Sequence, residues 1–237
     1  MQAVILAGGK GTRLRPYTVT LPKPLVPVGD YPILEIIIRQ LARSGFKRVT
    51  VSTGHLAELI EAYFGDGRRW SVEIDYVREA VPLNTAGALK LISGYEDDFI
   101  VINGDTLTNL DYGNFLQEHI GHKAAITIGT KVRESTIDFG VVETDAADFL
   151  MNYREKPTYT FPVSMGIYAL SRCCVDLIEP GESLGMPDLF CRVLRAGKKI
   201  FCLRSECYWL DIGRVDDYEQ AQQDFERHKQ EFLKSDV

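Results

Sequence analysis

The sequence predicts an α/β fold, a Rossmann-like, mostly parallel mixed sheet flanked by helices. Short apolar, β-branched runs alternate with segments whose apolar residues recur at helical spacing, which is typical of βαβ units. The chain has 237 residues, of which 45% are hydrophobic and 25% charged, so it is long enough to bury one substantial core. In such folds, helices cover both faces of the sheet and ligands bind beyond the carboxyl ends of the strands.

The first half of the chain, residues 1–120, carries the clearest alternation. Residues 3–6 form an apolar run that predicts a buried strand. Apolar residues between Pro32 and Ala42 recur at helical spacing, with proline in the first turn and Gly45 at the end, which predicts a helix. The same patterns then predict a strand over 47–53, a helix over 56–64, a strand over 72–78, a helix over 85–93 and a strand over 99–103.

The second half, residues 121–237, is richer in strands. Predicted strands cover 123–131, 139–144, 149–154 and 163–170, and one helix lies near 187–196. No Pro/Gly/Ser-rich linker separates the halves, so we expect one domain over residues 1–237. A last helix over 215–233 places an apolar face, suited to docking against the body, at Tyr218, Ala221, Gln222, Phe225 and Phe232.

The composition argues against several classes of partner. A formal charge of −6 and a pI near 5.3 disfavour a basic nucleic-acid groove, so we expect no nucleic-acid partner and only a local site for anions. No run approaches the roughly 18 apolar residues of a membrane span. Met1 and Gln2 lead straight into a strand without a leader, so we expect a cytoplasmic protein with no membrane partner.

The cysteines and histidines show no metal-ligand pattern. The five cysteines form no C-x-x-C pair and their number is odd, so we expect buried thiols in a reducing compartment. They all lie in the C-terminal third, at Cys173, Cys174, Cys191, Cys202 and Cys207. The four histidines are not spaced as metal ligands either.

A glycine-rich loop follows the first strand in the stretch LAGGKGTRLRP, residues 6–16. Glycines let backbone N–H groups approach phosphate oxygens closely, and Arg13, Arg15 and Lys23 add positive charge nearby. The loop lacks the third glycine of a dinucleotide fingerprint and does not match the P-loop pattern. A merely flexible turn would leave the clustered cations unexplained, so the loop predicts a phosphate site.

Lys23 stands between two prolines in the stretch LPKPLVPV, residues 21–28. Because Pro22, Pro24 and Pro27 restrict the backbone, the lysine is presented from a stiff segment. A solvated surface lysine is the ordinary alternative. The rigid flanks and the adjacent cationic loop favour a functional role.

Six motifs in order resemble those of the sugar-1-phosphate nucleotidylyltransferases. They are LAGGKGTRLRP, PKPLVPV, NTAGAL at 84–89, NGD at 103–105, EKP at 155–157 and WLDIG at 209–213. The compact size, with Asp211-Ile212-Gly213 followed by Asp217-Tyr218, is similar to bacterial guanylyltransferases acting on mannose or manno-heptose 1-phosphate. Muramic-acid uridylyltransferases are also similar.

The resemblance implies a reaction between two phosphorylated substrates. A phosphate oxygen of a sugar 1-phosphate would attack the α-phosphorus of a nucleoside triphosphate (NTP), and pyrophosphate would leave. Residues 1–120 would then form the nucleotide-binding half and 121–237 the sugar-phosphate half. Since the attacking phosphate is already an anion, the site must supply cations and positioning rather than a general base.

The resemblance also implies roles for the basic residues. Arg13 would stabilise the triphosphate and the departing pyrophosphate, aided by the backbone of Gly9, Gly11 and Thr12, and Lys23 would bind near the α-phosphate. Lys156 would hold the sugar phosphate, and Glu155 would accept hydrogen bonds from sugar hydroxyls. The sugar pocket would also draw on Gly140 and Ser164.

Two carboxylates are expected to hold Mg²⁺, which takes one or two carboxylates plus phosphate oxygens and water. Asp105 follows the apolar run FIVING and would project at the carboxyl end of that strand. Asp211 lies between apolar and aromatic neighbours, where an unpartnered carboxylate would be costly. A helix-capping role is the structural alternative for Asp105. The pair matches the metal ligands of the family.

For the base, Leu6, Ala7 and Gly8 would meet one edge and the turn Asn84, Thr85 and Gly87 the other. The thymidylyl branch of the family has glutamine where this chain has Gly87, so we expect more room here and favour GTP, with UTP and CTP open. The family often has glycine at the position of Asn84.

Other classes of function stay open from sequence alone. One is a non-catalytic regulatory subunit with this fold, which would be expected to lack one or more of the charged motif residues that are retained here. Another is a nicotinamide-dependent oxidoreductase, which the incomplete fingerprint disfavours. The apolar face of the last helix suits either the body of the chain or a second subunit, so a homo-oligomer is also considered.

Overall fold

A seven-stranded sheet forms the body of the computed structural model, which describes residues 1–233. Over these residues, the strands are β1 (Gln2–Ala7), β2 (Pro27–Val28), β3 (Tyr31–Pro32), β4 (Arg48–Thr53), β5 (Glu73–Arg78), β6 (Asp98–Asn103), β7 (Thr106–Thr108), β8 (Ile126–Thr136), β9 (Val141–Thr144), β10 (Leu150–Arg154), β11 (Thr158–Ser171), β12 (Ile200–Arg204) and β13 (Trp209–Asp211). The α-helices are α1 (Ile33–Arg43), α2 (Ala57–Phe64), α3 (Asn84–Gly87), α4 (Tyr112–His122), α5 (Met186–Arg195) and α6 (Val215–Phe232).

The strand order of the main sheet is β12-β8-β11-β6-β1-β4-β5. β1 pairs in parallel with both β4 and β6, and β4 pairs in parallel with β5. β11 runs antiparallel to its neighbours β6 and β8, whereas β12 pairs in parallel with β8. The predicted mostly parallel mixed sheet is therefore confirmed.

Two apolar cores lie on opposite faces of this sheet. Along β1, Ala3 and Ile5 belong to one core and Val4 to the other, as the two-residue period of a strand requires. The first core packs α1, α4 and α6 against the sheet, and the second packs α5. Helices on both faces leave the carboxyl ends of the central strands as the open edge.

Helix α6 docks on the body as its apolar face predicts. Tyr218, Ala221, Phe225 and Phe232 are buried, and Phe225 packs against the ring of Tyr31 at 6.4 Å between centroids. The Tyr218 hydroxyl donates to the carbonyl of Pro27 at 2.9 Å. The C-terminal helix thus anchors the β2–β3 hairpin that follows the Lys23 segment.

The sequence prediction missed six of these elements, two of them the two-residue strands β2 and β3, and merged an α-helix with a 3-10 turn. Helix α4 has buried Tyr112, Phe115 and Leu116 at helical spacing and an Asp111 N-cap, but Gly113 and Gly121 weaken its pattern. β7 and β13 have three residues each, which is too short for a periodic signal, and β12 was also missed. The helix predicted over 85–93 is the short α3 followed by a 3-10 turn over Ala88–Leu91.

The strands of the second half build a projecting arm. The arm, residues 131–164, contains the outer parts of β8 and β11 and the separate β9–β10 hairpin. Every residue of β10 is exposed, as are Phe139 (77%) and Phe149 (71%). The strands predicted over 139–144 and 149–154 exist, but they lie outside the main sheet.

The prediction that the cysteines are buried is wrong for most of them. Cys174 is buried, and burial raises the pKa of its thiol to about 12. Cys207 is half-buried, whereas Cys173, Cys191 and Cys202 are exposed. On α5, Cys191 lies between the buried Leu189 and Val193 and points outward, because burial follows helix periodicity rather than residue type. All five thiols are free.

Within residues 1–233, no helix combines the length and the apolar character that a membrane span requires.

Replacing Phe225 by alanine should destabilise the protein, because its fully buried ring fills the contact between α6 and the body. We expect the free energy of unfolding to fall by about 3–4 kcal/mol, as measured by urea denaturation. Phe149→Ala on the exposed arm is the matched control and should change it by less than about 0.5 kcal/mol. Equal effects of the two variants would contradict the docking of α6.

Candidate active site

A cavity of about 300 Å³ opens where the parallel strands β1 and β6 end. Eight of the residues predicted to bind ligands line it: Leu6, Ala7, Gly8, Gly9, Lys23, Asn84, Thr85 and Asp105. Five lining residues were not predicted: Pro24, Glu79, Pro82, Asn103 and Gly104. The fold thus brings the glycine loop, Lys23, the 84–85 turn and Asp105 to one edge of the sheet.

The glycine loop is held open by local contacts. Gly11 has φ +60°, a left-handed conformation that favours glycine, and its carbonyl accepts from the Thr18 hydroxyl at 2.7 Å. A side chain on Gly11 would also crowd Lys23 and Thr18. No atom lies within 4 Å of where a side chain on Gly9 would begin, so this part of the loop faces open space. The loop therefore has room for a ligand against its backbone.

Lys23 is buried in the floor of the cavity and paired with Asp105. Its side chain comes from a 3-10 turn over Lys23–Leu25, which Pro24 stiffens, and Lys23 is only 8% exposed. The Lys23 Nζ donates to Asp105 Oδ2 at 2.5 Å. This ion pair joins the loop after β1 to the turn after β6.

Asp211 is brought beside Asp105 by two short strands that pair with each other. β13 runs antiparallel to β7, with Asp211 opposite Thr106, and the Ile212 N–H donates to the Asp105 carbonyl at 3.0 Å. Asp211 is exposed as a residue, although part of its carboxylate is packed against the site. The atoms packed around its carboxylate, together with the charge of Asp105, raise the pKa of Asp211, and Lys23 and Arg13 offset part of that shift.

Gly213 lets Arg13 approach these acids. A Cβ at Gly213 would lie 3.5 Å from Asp211 Oδ2, 3.5 Å from Asp217 Oδ2 and 3.7 Å from Arg13 Nη1. The Asp217 carboxylate also accepts from the N–H of Arg214 at 2.8 Å, which caps helix α6. Arg13, Lys23, Asp105 and Asp211 are thus one cluster of mixed charge.

The cluster fits a hard divalent cation. Asp105 Oδ1 is buried and has no hydrogen-bond partner among residues 1–233, which is costly unless a ligand satisfies it. No three His, Cys, Asp or Glu side chains in that range form a metal cage. A cation held by Asp105 and Asp211 would therefore complete its coordination with oxygens from substrate and water, as Mg²⁺ does.

Glu79 is the residue of this cavity that the sequence prediction should have found. Glu79 follows the last residue of β5, so it lies at the same edge of the sheet as Asp105. A position just after a predicted strand is also what indicated a functional role for Asp105. The Glu79 Oε1 lies directly over Gly8, where a side chain on Gly8 would collide with it. Oε1 also accepts from the Ser52 hydroxyl at 3.1 Å and Oε2 from the Leu83 N–H at 2.9 Å.

The turn that begins with Asn84 has a strained backbone. Asn84 has φ +61°, which explains why glycine suits this position and why asparagine is tolerated. The Asn84 Nδ2 donates to the Ser183 hydroxyl at 2.9 Å, and the Thr85 hydroxyl accepts from the Met186 N–H at 2.8 Å. The turn is therefore fastened to the segment before α5.

That Gly87 leaves room for a larger base stays a prediction, and the structure gives this glycine a packing role. Gly87 is absent from the cavity lining, and a side chain there would collide with the carbonyl of Glu182. The Gly87 N–H donates to the Leu184 carbonyl at 3.0 Å. Glycine is needed here because two backbone segments approach closely.

The predicted sugar-site residues lie on the arm. Gly140 lies against the ring of Tyr153, whose hydroxyl donates to Glu155 at 2.7 Å. Lys156 is exposed, with φ +43°, and the Ser164 hydroxyl donates to that of Tyr168 at 3.2 Å. These residues are not part of the cavity lining, and their roles stay predictions.

Comparison with known proteins provides further evidence on the family of this chain. The family described as Nucleotidyl transferase matches residues 2–228. The chain is 36% identical to a UTP–glucose-1-phosphate uridylyltransferase of Synechocystis sp. over 93% of its length, but spans only 62% of that relative. It is 32% identical to the D-glycero-α-D-manno-heptose 1-phosphate guanylyltransferase of Aneurinibacillus thermoaerophilus, covering 96% of this chain and 100% of the relative.

A solved structure is also similar. HddC from Yersinia pseudotuberculosis, complexed with GMP-PN, superposes with a TM-score of 0.73 at 27% identity. The match covers 94% of this chain and 99% of that one.

Asp211→Asn should stabilise the protein when no divalent cation is present. Because the pKa of Asp211 is raised in the folded state, its charged form weakens folding above that pKa, and the cost disappears below the ordinary aspartate pKa of about 3.9. We expect the melting temperature of the variant in EDTA to exceed that of wild type by a few degrees near pH 7.5. Near pH 4 the difference should shrink.

The exposed Asp75 on β5 offers the matched control for this measurement. Asp75→Asn should leave the melting temperature nearly unchanged at both pH values. A lower melting temperature for Asp211→Asn near pH 7.5 would contradict the charge arrangement described above.

Proposed function

The chain belongs to the nucleotidyl transferase family, and on that premise we propose that it transfers a nucleoside monophosphate from an NTP to a sugar 1-phosphate. GTP is the proposed nucleotide, and a mannose or manno-heptose 1-phosphate the proposed acceptor. A phosphate oxygen of the sugar 1-phosphate forms a bond to the α-phosphorus. The bond from that phosphorus to the bridging oxygen breaks, and pyrophosphate leaves with the electron pair.

One observation carries this proposal. A glycine loop, two cations and two carboxylates meet at the carboxyl ends of β1 and β6, in a protein whose overall charge is −6. Two phosphorylated substrates repel each other, so the rate depends on positioning them in line and on neutralising the leaving group. A site of mixed charge suits that task, because its two cations can contact phosphates while its carboxylates can hold a metal ion that adds positive charge.

The two basic side chains, Arg13 and Lys23, lie at different positions and would contact different phosphates. Arg13 is exposed and lies near Asp211 and Asp217 around Gly213, and we propose that its guanidinium pairs with the phosphates that leave. Lys23 lies deeper, against the turn after β6, and would contact the α-phosphate. The backbone of the glycine loop would supply N–H donors between them.

A divalent cation, proposed to be Mg²⁺, would be held by Asp105 and Asp211. When bound, it would supply positive charge that offsets the charge developing on the pyrophosphate. The buried, unpartnered Asp105 Oδ1 supports this assignment. On the arm, Lys156 would hold the sugar phosphate and Glu155 the sugar hydroxyls.

Glu79 supports guanine as the base. A carboxylate only accepts hydrogen bonds, and guanine presents two adjacent donors, N1–H and the N2 amino group. Uracil presents one donor between two carbonyl oxygens, which a second carboxylate oxygen would repel. Each oxygen of Glu79 already accepts one hydrogen bond, but a carboxylate has about four acceptor positions, so capacity remains for a base.

The test is release of pyrophosphate. Purified protein with Mg²⁺ and mannose 1-phosphate or a manno-heptose 1-phosphate should release pyrophosphate fastest with GTP, in a panel with UTP, CTP, dTTP and ATP. Asp105→Asn should lower turnover by at least about 100-fold while the far-UV circular dichroism is unchanged. No release with any NTP would favour a non-catalytic subunit, and preference for UTP would favour the uridylyltransferase alternative.

Glu79→Gln should weaken the preference for GTP, because an amide N–H₂ would face the guanine donors. We expect the ratio of kcat/KM for GTP to that for UTP to fall by about 10–100-fold. Glu73→Gln, at an exposed acid that begins the strand preceding Glu79, is the matched control and should leave the ratio unchanged. An unchanged ratio in Glu79→Gln would remove Glu79 from base recognition.

A further inference from the structure

The ammonium of Lys23 is paired with Asp105, one of the two carboxylates that a metal ion would need as ligands. This ammonium lies 2.5 Å from Asp105 Oδ2, and both groups are largely removed from water, with side-chain exposures of 10% and 25%. The other oxygen of Asp105 is buried and has no partner among residues 1–233. The ammonium is therefore the counter-ion of Asp105 in the ligand-free protein.

The acids around this ion pair repel one another, so the positive charge of Lys23 is needed to stabilise the site when no cation is bound. Asp105 and Asp211 are close enough for each charge to oppose the other, and Asp217 adds a third acid beyond Gly213. Lys23 and Arg13 are the basic groups that act on Asp211. Without Lys23, Asp105 would keep an unpaired buried charge, which is costly.

The lysine side chain is built to move while its backbone stays in place. Pro22 and Pro24 restrict the backbone, and Val26 N–H donates to the Lys23 carbonyl at 3.0 Å. A four-carbon stem with a rotatable ammonium can leave one oxygen ligand for another at little structural cost.

We infer that Lys23 is a place-holder for the divalent cation on Asp105. It neutralises Asp105 in the ligand-free site, leaves when the cation binds, and becomes free to contact a phosphate oxygen. This inference rests on the proposed function for the identity of that phosphate, but not for the exchange itself. Two positive groups on one carboxylate repel each other, so lysine and metal compete for Asp105.

A consequence is that metal and nucleotide bind cooperatively. When a metal ion binds alone, the ammonium of Lys23 loses its ion pair with Asp105 and has no phosphate to contact, so we expect weak metal binding. When an NTP binds as well, the ammonium can contact a phosphate, which offsets part of the free energy lost with the ion pair. By linkage, the same coupling free energy raises the affinity for nucleotide when metal is present.

The decisive measurement is binding of Mn²⁺ alone, followed by electron paramagnetic resonance of the free ion. Lys23→Met removes the competing ammonium and should bind Mn²⁺ at least ~5-fold more tightly than wild type. The control is Lys229→Met. Lys229 lies on α6 and pairs with Asp30 at 2.9 Å, so this variant should leave the Mn²⁺ affinity unchanged. Equal or weaker binding by Lys23→Met would overturn the inference, as would the absence of Mn²⁺ binding in both proteins.

Stability gives a second, independent readout. Without divalent cations, Lys23→Met should melt at a lower temperature than wild type, because Asp105 loses its counter-ion. Saturating Mg²⁺ should raise its melting temperature by more than it raises that of wild type. An equal or smaller rise would contradict the exchange. Lys23→Gln is the second variant if the methionine form does not fold.

For the affinity for nucleotide, we expect the opposite order of Lys23→Met and wild type. With GTP and Mn²⁺ together, Lys23→Met should bind the nucleotide more weakly than wild type, because the displaced ammonium is no longer there to contact phosphate. Tighter metal binding without weaker GTP binding would keep the competition but reject the phosphate contact. Failure of wild type to release pyrophosphate would reject the proposed function and leave the metal measurement valid.

Discussion

The ion pair between Lys23 and Asp105 is the contact on which the arrangement of the site depends. It joins two segments 82 residues apart in sequence, the loop after the first strand and the turn after β6. Because the pair is largely buried, neither charge can be left alone without a cost in stability. The pair therefore holds together the two loops between which a phosphorylated ligand must fit.

The rest of the fold supports this contact from outside. Parallel pairing of β1 with β4 and β6 sets the carboxyl ends of the central strands side by side, and the short β7–β13 ladder brings Asp211 to Asp105. Helix α6 then fastens the β2–β3 hairpin next to the Lys23 segment through Tyr218 and Gln222, which both donate to the Pro27 carbonyl. A packed body thus presents a small, charged and partly open site.

The site combines groups that stabilise the empty protein with groups that do not. Lys23 relieves the charge of Asp105, whereas Asp211 carries a raised pKa, and a bound cation would relieve that cost. Functional sites commonly keep such unfavourable charge because binding uses it. Asn84 at positive φ is a similar case in the backbone. Its side chain donates to Ser183, and the next residue, Thr85, accepts from Met186.

The sequence by itself determined the α/β class, the apolar face of α6 and the glycine loop, because these follow from local periodicity and turn chemistry. It also placed Asp105 at a strand end, since the apolar run before it defines the strand. Only the tertiary structure decided that Lys23 lies on Asp105, that Glu79 covers Gly8 and that Gly87 packs against Glu182. Each of these contacts joins segments distant in sequence, and local patterns carry no information about which side chains meet across such a distance.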